Sequence, residues 1–201
     1  MRRLLLAVLA TTFVNPQIAW AEEWQTVLAQ AQNDLAQGNL DNADAGFRRA
    51  ETLLEAVKAT GNDSDAIKAQ MKKNGLSLVD CLVGIAKVKD RQGKFSDSDD
   101  VYEMALNTLK NFCDGGWKSH LYADYLPGIA EMYDRHGKSD QAELAWQKNL
   151  DIRTTIEPKN DPSKMLAVYD GYSKFLRAHQ RSEEAVELES KASQIRYSLQ
   201  N

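Results

Sequence analysis

The sequence predicts an all-α chain in which about four antiparallel helix hairpins stack in a row as an α-solenoid. Three observations lead there. Apolar residues after position 22 recur at helical spacing, as in Phe47, Ala50, Leu53, Leu54 and Val57 or Val186, Ala192, Ile195 and Leu199, and no segment alternates as a strand would. The stretch GIAKVKDRQGK from Gly84 is nearly restated 44 residues later as GIAEMYDRHGK from Gly128. Catalytic groups converge once on one reacting centre, whereas a fold made of copies must repeat the residues that hold each copy together. Turn signals at Gly38, Gly93, Gly137 and Gly115-Gly116 divide the chain at matching places.

The first 21 residues stand apart. A basic start, MRR, precedes the apolar run LLLAVLATTFV from Leu4 to Val14, and Ala19-Trp20-Ala21 is a small-x-small site before Glu22 and Glu23. This pattern predicts a signal peptide over 1–21 and an exported, periplasmic or secreted protein that starts at Glu22. The apolar run is too short to cross a bilayer, and no long apolar segment follows, so no membrane span is expected in the mature chain.

The remaining domain, 22–201, divides into eight helices near 23–37, 40–59, 64–92, 95–113, 119–136, 139–156, 162–179 and 182–199. They pair as repeats near 23–59, 64–113, 119–156 and 162–199. Ser96, Ser139 and Ser182 are candidate caps, with Asp97, Asp140 and Glu183 just inside to meet the positive helix end. Asp161-Pro162 offers a cap followed by proline in the first turn. Within the overlong third helix, Asn74-Gly75 marks either a break or an additional short helix.

With Gly38, Gly93, Gly137 and Gln180 as hairpin turns, equal offsets carry equal residue types. Eleven before the turn stand Val27, Leu82, Leu126 and Tyr169, and seven before, Ala31, Ala86, Ala130 and Ser173. Five after stand Ala43, Ser98, Ala142 and Ala185; nine after, Phe47, Tyr102, Trp146 and Glu189; twelve after, Ala50, Ala105, Asn149 and Ala192. Two helices approach closely only where side chains are small, so alanine and serine mark the contact and a bulky residue fills the gap beside it. Glu189, in the bulky position of the last repeat, is expected to face water on a capping helix, because no further hairpin covers it.

These offsets, above all GIAEMYDRHGKSDQAELAWQKNL in the third repeat, resemble the tetratricopeptide repeat (TPR) family over nearly the whole mature chain. The turn intervals of 44 and 43 residues and the Asp161-Pro162 opening look like its longer, kinesin-light-chain-like variety, although the first interval is 55. The resemblance implies a right-handed superhelix whose first helices line a concave groove for a protein or peptide partner. Carried onto this chain, the groove positions are Arg91 and Arg135 two before the turn; Asp90, Asp134 and Arg177 three before; and Lys87, Glu131 and Lys174 six before, with Val83 and Tyr125 beside them. The family's carboxylate clamp is not reproduced, so a chaperone-tail receptor is not implied.

Gly84, Gly128 and Gly171 each lie nine residues before a turn, and glycine inside a helix costs about 0.5–1 kcal/mol relative to alanine. Either they let first helices crowd together on the inner curve, helped by a kink at Pro127, or they bare the backbone of the groove for a peptide.

Catalytic chemistry is not indicated. His136 and His179 share a position beside the turn and are expected at the surface, with arginine, lysine and glutamine rather than metal ligands as sequence neighbours. No His-Glu-x-x-His, phosphate loop or zinc-spaced cysteine pair occurs, and Asp97, Asp99 and Asp100 read as solvated acids at a helix start. No enzyme activity, metal or cofactor is therefore expected. Cys81 and Cys113 form a candidate disulfide in an oxidising compartment, or have no sulfur role, and neither has a nearby histidine to make a catalytic thiol. Asn62-Asp63-Ser64 matches a glycosylation acceptor.

The whole chain has a formal charge of −4, and loss of residues 1–21 leaves 23 basic against 29 acidic residues, or −6. Basic residues are interleaved with acids along every helix, so nucleic acid is excluded as a partner. The expected role is a non-catalytic scaffold or adaptor binding a protein or peptide, with a homo-oligomer through the open first hairpin as a further arrangement. The alternative is an α-helical carrier that encloses a lipid or other apolar ligand.

Overall fold

The computed structural model describes residues 16–57, 64–112, 119–156 and 162–200. Among these are eight helices and no strand: α1 (Pro16–Gln37), α2 (Leu40–Ala56), α3 (Ser64–Arg91), α4 (Phe95–Phe112), α5 (His120–Arg135), α6 (Ser139–Ile156), α7 (Pro162–Ala178) and α8 (Ser182–Gln200). None of them is long and apolar enough to cross a membrane. Residues 1–15 of the expected leader, the Asn62 acceptor, Cys113, the Gly115-Gly116 pair and Asp161 lie outside the described residues. The leader boundary after Ala21 falls inside α1, which begins at Pro16 rather than near residue 23.

Consecutive helices form hairpins through one turn chemistry. At the second turn, the Gly93 N–H donates to the Asp90 carbonyl at 3.0 Å and the Lys94 N–H to the Lys89 carbonyl at 3.0 Å. The same pair of bonds closes the other three turns, and φ is positive at Gly38, Gly93, Gly137 and Gln180. Each is a Schellman closure, which satisfies the last carbonyls of the first helix while turning the chain back. The serines expected as caps are instead helical: α6 and α8 open on Ser139 and Ser182, and α4 on Phe95, one residue before Ser96. The preceding position belongs to Lys94, Lys138 and Arg181.

Packing follows the predicted offsets. Ala31, Ala86, Ala130 and Ser173 are buried, as are Ala43, Ser98, Ala142 and Ala185 opposite them. The Ser98 hydroxyl donates to the Ala86 carbonyl at 2.9 Å, so these two rows meet across the hairpin. Helices pack chiefly against their hairpin partner and the neighbouring hairpin, and the buried residues have no single centre. Trp24, Leu28, Phe47 and Leu54 of the first hairpin share one core with Cys81, Ile85 and Val88 of α3, while a second core runs from Val79 to Leu188. A hairpin covers one flank itself and the next hairpin covers the other.

The rings nine residues after the first three turns, Phe47, Tyr102 and Trp146, are buried, and such aromatic side chains bury roughly 150–250 Å² each. Two of them explain two of the periodic glycines. A Cβ on Gly84 would stand 2.4 Å from the Phe47 ring, and one on Gly171 2.4 Å from the Trp146 ring. The glycines therefore admit an aromatic ring from the second helix of the preceding hairpin, rather than the backbone of its first helix. Gly128 differs, because nothing lies within 4 Å of the corresponding position.

Two further expectations are corrected. α3 runs unbroken through Asn74-Gly75, and Gly75 is pressed by Phe112, whose Cγ would be 2.3 Å from a Cβ there. Glu189 does not simply face water: its two oxygens accept from Arg177 Nε and Nη2, each at 2.6 Å.

Candidate functional site

The first helices α1, α3, α5 and α7 present one face to a run of open clefts. The first, of about 300 Å³, is lined by Gln32 and Leu35 of α1, Val83, Gly84 and Lys87 of α3, and Tyr125, Gly128 and Ile129 of α5, among others. A single cleft bordered by α1 and α5, with α3 between them, requires the row of helices to curve inward. A second, of about 700 Å³, shares Gln32, Lys87, Tyr102 and Gly128 and continues to Glu131 and Arg135. A third, of about 310 Å³, continues from Glu131, Asp134 and Arg135 to Gly171 and Lys174. Shared linings make these one groove from α1 to α7.

Charges on this face fall into two sets. The first set ties hairpins together. Arg135 Nη2 donates to Asp90 Oδ2 at 2.6 Å, and Arg91 Nη1 donates to the Leu35 carbonyl near the end of α1. His136 is not a surface histidine: its side chain is 1% exposed, with Nε2 2.8 Å from Asp90 Oδ1 and Nδ1 2.7 Å from Asp99 Oδ1. Both contacts are fully made when the ring carries both protons, since a carboxylate only accepts. Phe95 stacks on the imidazole with centroids 4.3 Å apart, and Lys138 donates to Asp99. The next junction repeats the plan, with His179 Nε2 2.7 Å from Asp134 Oδ1 and Arg181 Nη1 donating to Glu143 Oε2 at 2.6 Å. Lys138 and Arg181 thus stand at the same offset from their turns and reach an acid at the same offset in the hairpin before.

These ties set the local electrostatics. Burial pushes the Asp90 carboxyl up, but hydrogen bonds from Arg135 and His136, and their charges, prevail and hold it below its ordinary 3.8. Glu143 is held below its ordinary 4.5 first by the Arg181 hydrogen bond and then, against burial, by the Tyr172 hydroxyl.

The second set is free. Lys87, Glu131 and Lys174 are exposed, line the groove, and make no hydrogen bond or ion pair among the described residues. All three stand six residues before their turns, where the first hairpin has Gln32. Of the other expected groove residues, Val83 and Tyr125 form its wall, and the Tyr125 hydroxyl donates to Asp80 at 2.6 Å. Arg91, Asp134 and Arg135 line it while engaged in ties, and Arg177 is held by Glu189. Gln32 was not among the expected groove residues, although it stands at the same offset from its turn as Lys87 and lines the first two clefts. Nothing local pointed to Tyr102, whose ring lines the first two clefts beside the gap at Gly128.

Cys81 is a buried free thiol, pushed up to about 12 by burial first and then by the charges of Asp80 and Glu51, so it is poorly suited to act as a nucleophile. Its expected partner, Cys113, is outside the described residues.

No protein-family model and no curated protein matches the sequence. The structure is similar to the crystal structure of BtubC (BKLC) from P. vanneervenii, with a TM-score of 0.58 at 16% identity, over 93% of this chain and 84% of that one. Two crystal structures of MamA also align, with TM-scores of 0.45 and 0.40 at 12% and 13% identity. They cover 84% and 87% of this chain and 95% and 92% of their own. Among the described residues, eight helices in four hairpins, joined by repeated turns and stacked ring into glycine at two of the three junctions, give the fold of a TPR-like helical solenoid.

Proposed function

We propose that the protein is an exported, non-catalytic scaffold that holds another protein or peptide in the groove between α1 and α7. The observation that carries this reading is the row of free polar side chains, Gln32, Lys87, Glu131 and Lys174, along connected clefts. The other charges expected on the face are engaged between hairpins or, for Arg177, within one, so this row is what remains to meet a partner. The TPR-like fold supports a partner-holding role, and the mixed charge favours a protein over nucleic acid. The clefts are open and edged by charged side chains, which does not favour a carrier enclosing an apolar ligand. Export rests on the sequence of residues 1–21.

The test places a photo-crosslinking amino acid at Lys87 or Lys174 on the groove, and at Leu144 or Val186, which are exposed on second helices. In the native cell, discrete protein adducts are expected from the groove positions and not from the others. Adducts of equal yield from both sets would overturn the groove reading. The intact mass of the native protein tests export, because processing after Ala21 removes the mass of residues 1–21.

A further inference from the structure

Phe47, Tyr102 and Trp146 share one offset as buried rings, and two of them sit over a glycine of the next hairpin. Tyr102 is the exception. It is 2% exposed, yet it lines the first two clefts instead of covering Gly128, and nothing lies within 4 Å of the position that a Cβ on Gly128 would take. Its hydroxyl makes no hydrogen bond among the described residues. A buried phenol without a partner in the fold therefore borders open space on the groove.

Its surroundings set what can meet this hydroxyl. The charges acting on it are those of Asp90, Arg135 and Glu131, which border the second cleft with it. Asp90 and Arg135 are joined to each other at 2.6 Å, which leaves the free carboxylate of Glu131 as the local excess. Burial first, then the charge of Asp90, with Arg135 opposing and Glu131 adding, holds the phenol above its ordinary 10. It stays neutral, and its oxygen can accept a hydrogen bond. The open space over Gly128 also has apolar walls in Val83, Tyr125 and Ile129. Apolar walls beside a carboxylate and a hydroxyl are the complement of a side chain with a hydrocarbon stem and a cationic head. Lys87 and Arg91 border the second cleft from α3, so a second base would meet them, and the site suits one base rather than a basic run.

We propose, resting on the groove reading above, that the partner inserts one lysine or arginine side chain beside Gly128. Its stem lies against Val83, Tyr125 and Ile129, while its cation pairs with Glu131 and donates to the Tyr102 hydroxyl. That hydroxyl serves recognition and contributes nothing to the packing of the hairpins.

The experiment pans a bacteriophage-displayed library of linear ten-residue peptides against the purified protein and against Glu131→Lys. Glu131 is exposed and unpaired among the described residues, so this variant should keep the helical content and thermal midpoint of the parent, which circular dichroism checks. The parent is expected to enrich a single lysine or arginine, and the variant to lose it. A synthetic peptide selected on the parent should bind Glu131→Lys about tenfold or more weakly at low salt, with the difference shrinking as salt is raised. It should bind Tyr102→Phe about fivefold more weakly, with no change of charge and with a thermal midpoint unchanged or higher. Norleucine in place of the peptide's base keeps the stem and removes the cation, and the loss it causes on the parent should largely disappear on Glu131→Gln. Base-bearing peptides indifferent to Glu131→Lys or to Tyr102→Phe, or a lower midpoint in Tyr102→Phe, overturn the proposal. Enriched peptides without a base also overturn it, and they leave the groove reading standing where they crosslink from a photoreactive residue at Lys87 and not from one at Leu144. No enrichment, or crosslinking from Leu144 alone, overturns both.

Discussion

Gly171 and Trp146 interlock across the junction between the third and fourth hairpins, so closely that a Cβ on the glycine would lie 2.4 Å from indole Cη2. The indole is buried, which leaves it little freedom to swing aside. Gly171→Ala should therefore destabilise the protein by roughly 1–3 kcal/mol through overpacking, and Gly84→Ala against Phe47 by a similar amount. Gly128→Ala should do the reverse. With open space at that position, only the helix-propensity gain of about 0.5–1 kcal/mol remains. Urea midpoints of the three variants check the split, and three equal losses would refute it.

Gln180 occupies the turn position that glycine holds in the other three hairpins, with φ at 62°. An L side chain there costs roughly 1–2 kcal/mol, of which the greater freedom of unfolded glycine returns a part. Gln180→Gly should raise stability by about 0.5–1 kcal/mol, read as a higher thermal midpoint. The reciprocal Gly137→Gln should lower it.

How far the molecule can be read from its residues depends on the range of the interaction involved. Turn glycines and helical periodicity are local, and they located α2 to α8 within a few residues. The start of α1 at Pro16 was missed because that segment also reads as part of a leader. Gly75 reads as a break until Phe112, 37 residues later, is seen against it. Repeat offsets located the groove row, since equal offsets on stacked hairpins become neighbours in space. They could not tell which charges are spent: His136 finds its acids 37 and 46 residues away, on α4 and α3. Arg91 and Lys87 look equivalent in sequence, yet only Arg91 finds a carbonyl within reach.

The tie centred on Asp90 predicts a dependence on acid. A carboxylate with a depressed folded pKa contributes stability that is complete above its ordinary value of 3.8 and lost as pH falls through the lower folded value. The quantity to follow is the stability difference between the parent and Asp90→Asn. Below about pH 4 it should shrink, because protonation in the parent removes what the variant already lacks. Urea midpoints at several pH values measure that difference. If it persists undiminished in strong acid, the carboxylate charge is not what joins the second hairpin to the third.

Asn149 presents the opposite case, a polar group at a junction with nothing to hold. It is 0% exposed, and neither its Nδ2 nor its Oδ1 has a hydrogen-bond partner among the described residues. At the same offset the other hairpins bury Ala50, Ala105 and Ala192. An unmet buried polar group costs about 1–3 kcal/mol, whereas the packing lost on truncation to the methyl that its counterparts carry is smaller. Asn149→Ala should therefore stabilise the protein by about 1 kcal/mol, the net of those two effects. Asn149→Leu should destabilise it by about 1–3 kcal/mol, because alanine is the size this contact accepts elsewhere. Denaturant midpoints with unchanged m-values would assign both effects to the folded state. A loss of stability in Asn149→Ala would mean that the amide is satisfied in solution and that the third junction depends on it.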